Sequence, residues 1–358
     1  MNRLKKSFKN KTIIITGHTG FKGTWLSLWL SLMGAKVIGI SKDIPTKPSM
    51  FESIKLKNKI IHLKFDLRSV NKLKVIFKKH KPDFVFHLAA QSLVKRSYID
   101  PINTFQSNSI GTMNVLESLR HVRKKCVSII ITSDKIYKNL EIQRGYKEDD
   151  LLGGKDPYSA SKASAELIIQ SYISSFLKSK SKNLVAIARA GNVIGGGDWS
   201  QDRLLPDCVK AWSRNKIANI RNPKSTRPWQ HVFEALRGYL YLSIKLKINP
   251  SLHGEAFNFG PNKSQNKSVQ ELINESKKTW KNIKWKIIKP KKKIYESKLL
   301  KLNSDKAKYN LKWKPVLSFK ETIQMSINWY KYFYLKKKNL VHFSKNQLIN
   351  YMKKTNDI

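Results

Sequence analysis

Tyr158 and Lys162 are the residue types that together can take a proton from a hydroxyl group. Residues four apart share one face of a helix. A free phenol titrates near ~10 and is a poor base at neutral pH, and an ammonium beside it stabilises the phenolate and lowers that value. Upstream lies Thr16-Gly17-His18-Thr19-Gly20-Phe21-Lys22-Gly23, a glycine-rich turn of the kind that holds a dinucleotide pyrophosphate. Between the two motifs sits Ser133-Asp134-Lys135. Ser133 can donate to a substrate oxygen, while Asp134 and Lys135 supply an acid and an amine that a simple alcohol oxidation does not need. Taken alone, each motif also fits a surface helix pair or a surface ion pair. Their combination points to redox chemistry with a further acid–base step.

These residues need a scaffold that brings them together. Residues 12–16 form a short β-branched run, as a buried parallel strand does. Gly17 permits the tight turn, Gly20 lets backbone N–H groups approach phosphate, and Gly23 allows close packing of helix on sheet. Phe21, Trp25, Leu28, Trp29 and Leu32 then recur at helical spacing. Further strands are expected at 36–40, 60–65, 83–87, 127–132 and 184–189, with helices at 70–79, 104–120 and 157–177. Alternation of this kind with short links predicts an α/β fold, a doubly wound parallel Rossmann-type sheet.

After Gly191 the pattern changes to short elements, including 204–214, 218–221, 232–245, 256–259, 269–280, 284–288 and 319–334. This predicts a smaller mixed α/β substrate-binding lobe. The expected organisation is a dinucleotide-binding domain over 1–190, with 230–247 packing back on it, a lobe over 191–335 and a basic tail over 336–358.

The bulk numbers exclude several classes. The chain has 358 residues and is 41% hydrophobic, enough for a large core. Cys126 and Cys208 are too few for a disulfide framework and read as core thiols. No apolar run is long enough to span a bilayer, and the basic N-terminus leads into a strand rather than a signal sequence. A cytoplasmic location is expected. The net charge of +46 rests on 58 Lys and 12 Arg, with the Lys spread along the chain. Specific nucleic-acid recognition favours clustered Arg. The charge therefore reads as compositional, with no specific nucleic-acid partner.

At the adenine end, Asp43 lies twenty residues after Gly23 and can accept from a ribose hydroxyl. Lys42 beside it would instead suit a 2′-phosphate; NAD is the expected cofactor. Asp66-Leu67 ends the third strand, where Asp66 can hold the adenine amino group. Asn108 is a candidate support for Lys162 through a water.

The Gly turn, His87-Leu88-Ala89-Ala90-Gln91 and Tyr158/Lys162 resemble the extended short-chain dehydrogenase/reductase family of NAD-dependent epimerases and dehydratases. Within it, Ser133-Asp134-Lys135, Gly153-Gly154-Lys155-Asp156-Pro157-Tyr158, the stretch from Arg189 to Trp199 and Arg227-Pro228-Trp229-Gln230-His231 resemble the branch that dehydrates nucleotide sugars. The likeness runs from about Lys11 to Tyr334. It implies oxidation at C4 of the sugar, elimination of water across C5 and C6, and hydride return to C6. Related enzymes use Asp-Glu where this chain has Asp134-Lys135. Asp134 must then be protonated to act as acid, through burial, and Lys135 acts either as a neutral base or as a charged enolate stabiliser. The resemblance further implies Thr19, Phe21, Lys22 and Ala89 as cofactor contacts, Asn192 and Arg227 at the diphosphate, and Gln91, Ser92 and Arg203 in the sugar-nucleotide pocket. It implies CDP-glucose as substrate, a homodimer or tetramer, no metal, and a product destined for deoxysugars of surface polysaccharide. A nucleotide-sugar 4-epimerase would share Ser133, Tyr158 and Lys162 but has no use for Asp134 and Lys135. A catalytically idle, basic nucleic-acid-binding relative would need neither Tyr158 nor Lys162.

Overall fold

The computed structural model describes residues 3–178, 182–262, 265–288, 300–336 and 339–357. Parts of the expected lobe and tail, 289–299 and 337–338 among them, lie outside the described residues. Seven strands make the central sheet: β1 (Thr12–Thr16), β2 (Lys36–Ser41), β3 (Ile61–Lys64), β4 (Phe84–His87), β5 (Cys126–Ile131), β6 (Asn183–Ala190) and β7 (Ala256–Phe259). Their order is β7-β6-β5-β4-β1-β2-β3, with every neighbouring pair parallel. The direction of winding reverses between β1 and β4, where Thr16 pairs with His87. In such sheets ligands bind outside the carboxyl ends of the strands at this switch point. The expected parallel doubly wound sheet is therefore observed, and its helices cover both faces. The smaller part carries three two-stranded ladders, two parallel and one antiparallel.

Burial on both faces explains the unbroken apolar strands. Ile13, Ile14 and Ile15 of β1 and Ile129 of β5 are fully buried. The helix Phe21–Leu32 presses Trp25, Leu26 and Trp29 into the core, and Trp25 Nε1 donates to the Gly196 carbonyl at 2.8 Å. That bond ties the helix behind the glycine turn to the segment after β6.

Two differences from the sequence reading have physical causes. Residues 256–259, expected among the short elements of the lobe, form β7 at the edge of the central sheet, paired with Ile187–Ala190. The helix Val232–Ile248 crosses over between β6 and β7 and packs on β5 and β6, so it delivers the next strand in parallel. The helix expected over 104–120 is instead Pro101–Phe105, a π-turn at Gln106–Ile110 and a second helix at Gly111–Arg120. The π-turn widens the backbone where Asn108 reaches Gln91 and Ser161.

Residues 340–354 of the basic tail form a helix, Leu340–Lys354, docked on the rest of the chain. Ser344, Leu348, Tyr351 and Met352 are buried, and Tyr351 packs edge-on to Trp29. Tyr351 also donates to buried Glu234, which accepts the Val316 and Leu317 N–H groups as well. Just beyond the helix, Asp357 accepts from Arg237 Nε at 2.7 Å and from Tyr241 at 2.8 Å. Removing one partner of a buried ion pair strands the other charge. Asp357→Ala should therefore lower stability by about 3–5 kcal/mol, seen as a lower urea midpoint. An unchanged midpoint would show that the Arg237–Asp357 pair contributes nothing to stability.

Candidate active site

β1 ends in the glycine turn. Gly17 has a φ of 76°, and a Cβ there would lie 2.7 Å from the Ala89 N atom. A Cβ on Gly23 would meet the Gly17 carbonyl oxygen at 2.1 Å. Helix Phe21–Leu32 starts after Gly20 with no side-chain cap, so its first N–H groups keep no side-chain acceptor. Unpaired N–H groups at a helix start make an anion seat, and the turn fits a dinucleotide pyrophosphate on that ground.

Thr19 Oγ1 donates to the Asp43 carbonyl at 2.7 Å, which fixes the end of β2 against the turn. Asp43 and Lys42 are both exposed there. The Asp66 carboxylate accepts from Arg68 Nη2 at 2.8 Å, and the Leu67 carbonyl accepts from Asn114. Ala89 N donates to Thr16 Oγ1 at 3.3 Å, holding the β4 end beside Gly17.

One residue of the turn was not singled out from sequence. His18 is fully buried, bonded through Nε2 to His62 at 2.7 Å and through Nδ1 to Ser41 at 3.0 Å. Burial and then the His62 charge push its pKa down to about 4, so it is neutral at physiological pH. A Cβ on Gly39 would lie 2.3 Å from the His18 ring. The glycine at the centre of β2 was the only available signal.

Ser133 follows β5 in extended backbone and caps the short 3₁₀ turn Asp134–Ile136, accepting from Lys135 N at 3.2 Å. Its hydroxyl donates to Asp134 Oδ1 at 3.0 Å and faces the Tyr158 phenol. Helix Pro157–Ser175 carries Tyr158 and Lys162, and it starts at a capping box between Asp156 and Ser159 with Pro157 in its first turn. Ser133, Asp134, Tyr158 and Lys162 are all buried, and Lys135 is half-buried. Lys162 Nζ donates to the Ile131 carbonyl at 3.0 Å. Asp134 lies so close to the strand β6 exit that a Cβ on Gly191 would come 3.0 Å from its Oδ2.

Burial drives the ionisable groups away from their ordinary values. It holds Asp134 above the usual carboxyl range, with the nearby Lys135, Ser133 and Lys22 only partly opposing it. It pushes Lys162 down to about 8, against the carboxylate of Glu166. Tyr158 differs from the expectation. Its pKa is raised, because burial outweighs the facing Ser133 hydroxyl. Lys22 of the glycine turn faces the same group of residues. Its ammonium faces Arg203, Asp134, Lys162 and Asp198, and burial followed by Arg203 brings it to about 8.

The candidate substrate residues fall into two groups. Arg203 pairs with Asp198 at 3.6 Å and its charge reaches Tyr158 and Lys22. Ser92 and Asn192 are exposed at the ends of their strands. The Gln91 side chain is instead folded into its own loop, donating to Thr104 and Leu93 and accepting from Leu93 N at 2.6 Å. Asn108 spends its amide on the Gln91 backbone and on Ser161 at 2.8 Å. Arg227, on a short strand of the smaller part, donates to Ser225 and to the Thr226 carbonyl.

A parallel sheet with a glycine turn at its switch point and a buried Ser, Tyr and Lys beside it defines an extended short-chain dehydrogenase/reductase. The family model described as GDP-mannose 4,6 dehydratase matches residues 14–326, and the chain belongs to that family. The chain is 39% identical over 98% of its length, and 99% of the relative's, to the CDP-glucose 4,6-dehydratase of Salmonella typhimurium. It is 25% identical to human dTDP-D-glucose 4,6-dehydratase over 90% of each chain. Among solved structures it resembles the epimerase Mth375 of Methanothermobacter thermautotrophicus, with a TM-score of 0.79 and 23% identity over 94% of this chain and 97% of that one. It also resembles the NAD complex of dTDP-glucose 4,6-dehydratase from Bacillus anthracis, with a TM-score of 0.72 and 21% identity over 93% and 99% of the two chains.

Proposed function

We propose that the chain converts CDP-glucose to CDP-4-keto-6-deoxyglucose with NAD as a recycled cofactor. The observation that carries this reading is the burial of Asp134, next to Lys135, directly beside the Ser133/Tyr158/Lys162 group. An epimerase needs the second set but not the first. Bound NAD supplies a hydride acceptor that becomes a hydride donor later in the same cycle.

Gly17, Gly20 and Gly23 and the helix start at Phe21 would hold the pyrophosphate, with Asp43 and Asp66-Leu67 at the adenosine end and Thr19 and Ala89 lining the turn. Lys22 is assigned to the cofactor as well, with its charge toward Asp134 and Lys162. At C4, Tyr158 takes the hydroxyl proton as the C–H bond is lost, Ser133 hydrogen-bonds the same oxygen, and Lys162 stabilises the phenolate with its ammonium. The new C4 ketone acidifies the C5 hydrogen. Loss of that proton forms an enolate, and the C6–O bond then breaks. Protonated Asp134 gives its proton to the departing hydroxyl, which leaves as water. Lys135 lies on the C5 side, as the base or as the cation that steadies the enolate. Hydride addition at C6 and a proton at C5 complete the product. Arg227 and Asn192 are assigned to the anionic diphosphate, and Gln91, Ser92 and Arg203 to the sugar-nucleotide pocket.

We further place the protein in the cytoplasm, supplying a deoxysugar nucleotide for surface polysaccharide. No helix among the described residues is long and apolar enough to cross a membrane. A homo-oligomer is proposed through the face carrying Ile99, Ile102 and Leu167, which are 83%, 71% and 59% exposed. Sedimentation equilibrium should give at least a dimer; a monomer throughout would contradict it.

Incubated with a panel of nucleoside-diphosphate glucoses, the protein should form a 4-keto-6-deoxy product from CDP-glucose with no net NADH. Asp134→Asn and Lys135→Met should each slow product formation by about 10²–10⁴-fold, while C4 oxidation persists and enzyme-bound NADH accumulates. Asp134 must be protonated to act, so wild-type elimination should fall as pH rises through its raised pKa. Equal loss of oxidation and elimination in both variants would contradict this division of roles. Full product formation in both would show that neither side chain takes part in the elimination.

A further inference from the structure

Behind the Tyr158/Lys162 face lies a buried ion pair that none of this chemistry uses. Glu166 is 0% exposed and Arg189 is 2% exposed. Glu166 extends the stripe of Tyr158 and Lys162 by one more turn of their helix. Its carboxylate accepts from Arg189 Nε at 3.0 and 3.1 Å, from Arg189 Nη2 at 2.6 Å and from Thr132 Oγ1 at 2.5 Å. Arg189 Nη1 donates onward to the Tyr137 hydroxyl at 2.7 Å and to the Glu148 carbonyl at 2.8 Å. Tyr137 in turn donates to Asn258 of β7 at 2.8 Å.

The placement of these partners matters more than their number. Thr132 is the residue before Ser133, and Tyr137 is the residue after the Asp134–Ile136 turn. The two therefore bracket the Ser133-Asp134-Lys135 segment. Arg189 lies two residues before Gly191, where Asp134 comes close to the chain. One carboxylate–guanidinium pair thus joins both borders of the elimination segment to the helix that carries the oxidation groups. Stability alone is a weak reason to keep such a pair, because well-packed apolar side chains of similar volume often serve as well or better. A fixed fork of hydrogen bonds sets positions in a way that apolar packing does not.

Building on the proposed dehydratase reading, we propose that Glu166, held by Arg189, is a positioning residue that keeps Ser133, Asp134 and Lys135 in register with Tyr158 and Lys162. Its charge has a second consequence. The charged or titratable groups that face Lys162 are Tyr158 and Glu166 on its own helix, Lys22 on the turn helix and His87 on β4. Burial raises the Tyr158 pKa and keeps His87 neutral, and Lys22 is a like charge, so in the resting site Glu166 is the anion that supports the Lys162 ammonium.

The test follows oxidation and product formation in single turnovers across a pH range, together with the melting midpoint and the NAD affinity by calorimetry. Thr132→Val removes one bond and leaves the ion pair intact. It should slow product formation by about 10-fold or more, with the midpoint and NAD affinity near those of wild type. Glu166→Gln keeps the shape and removes the charge. The high-pH limb of the oxidation step should then move to lower pH, because Lys162 loses its proton more easily. Wild-type rates and an unmoved pH limb in the variants would overturn the proposal, whatever happens to the midpoint. If Glu166→Gln does not fold, Thr132→Val decides the matter. A wild-type protein inert toward CDP-glucose would instead contradict the assigned substrate, and the same comparison would run on whichever nucleotide sugar it oxidises.

Discussion

The carboxyl ends of β5 and β6 lie in a low-dielectric cleft, where every charge costs more than it would in water, and acids and amines respond in opposite directions. Asp134 is driven toward its protonated form, while Lys162 and Lys22 are brought to about 8. A carboxyl that keeps its proton can act as an acid near neutral pH, and an amine near its pKa can respond to its surroundings. Tyr158 shows the cost of the same burial. Its phenol is harder to ionise than in water, and in the proposed mechanism the Lys162 ammonium would have to offset that burial. The Trp25 bond to Gly196 and the crossover helix Val232–Ile248, packed on β5 and β6, fix the strands that carry these groups.

The net charge of +46 has little part in that arrangement. Most of the ion pairs among the described residues have at least one partner at the surface, and in several both are exposed; exposed pairs contribute little to stability. Among the described residues, the pairs with both partners nearly inaccessible are Arg189–Glu166 and Arg237–Asp357. Both use arginine, whose planar fork can satisfy several acceptors at once. Arg189 and Arg237 therefore tie parts of the interior together, while the other described arginines lie at or near the surface.

The parts legible in the sequence are those set by short-range spacing. The glycine turn, the helix stripe of Tyr158 and Lys162 and the strand-end position of Ser133 each follow from a few neighbouring residues, and so does the alternation that defines the sheet. What was not legible depends on residues far apart in the chain. Four residues, 256–259, do not announce which sheet they join; the crossover helix before them decides it. The π-turn at Asn108 interrupts a pattern that reads as continuous helix. That the Lys22 charge faces Asp134 was not legible either, because the direction of a long side chain is set by tertiary packing. The sign of the Tyr158 shift was misjudged for a related reason. Spacing shows the lysine but not the depth of burial, and depth is the larger effect.

The central claim is that one buried cleft performs oxidation, elimination and reduction on a single sugar without releasing the hydride. CDP-glucose carrying deuterium at C4 tests this most directly. After conversion in unlabelled water, mass spectrometry and NMR of the product should find the deuterium at C6 of the same molecule, with hydrogen from solvent at C5. Deuterium lost to free NADH, or retained at C4 with the C6 hydroxyl intact, would contradict the account.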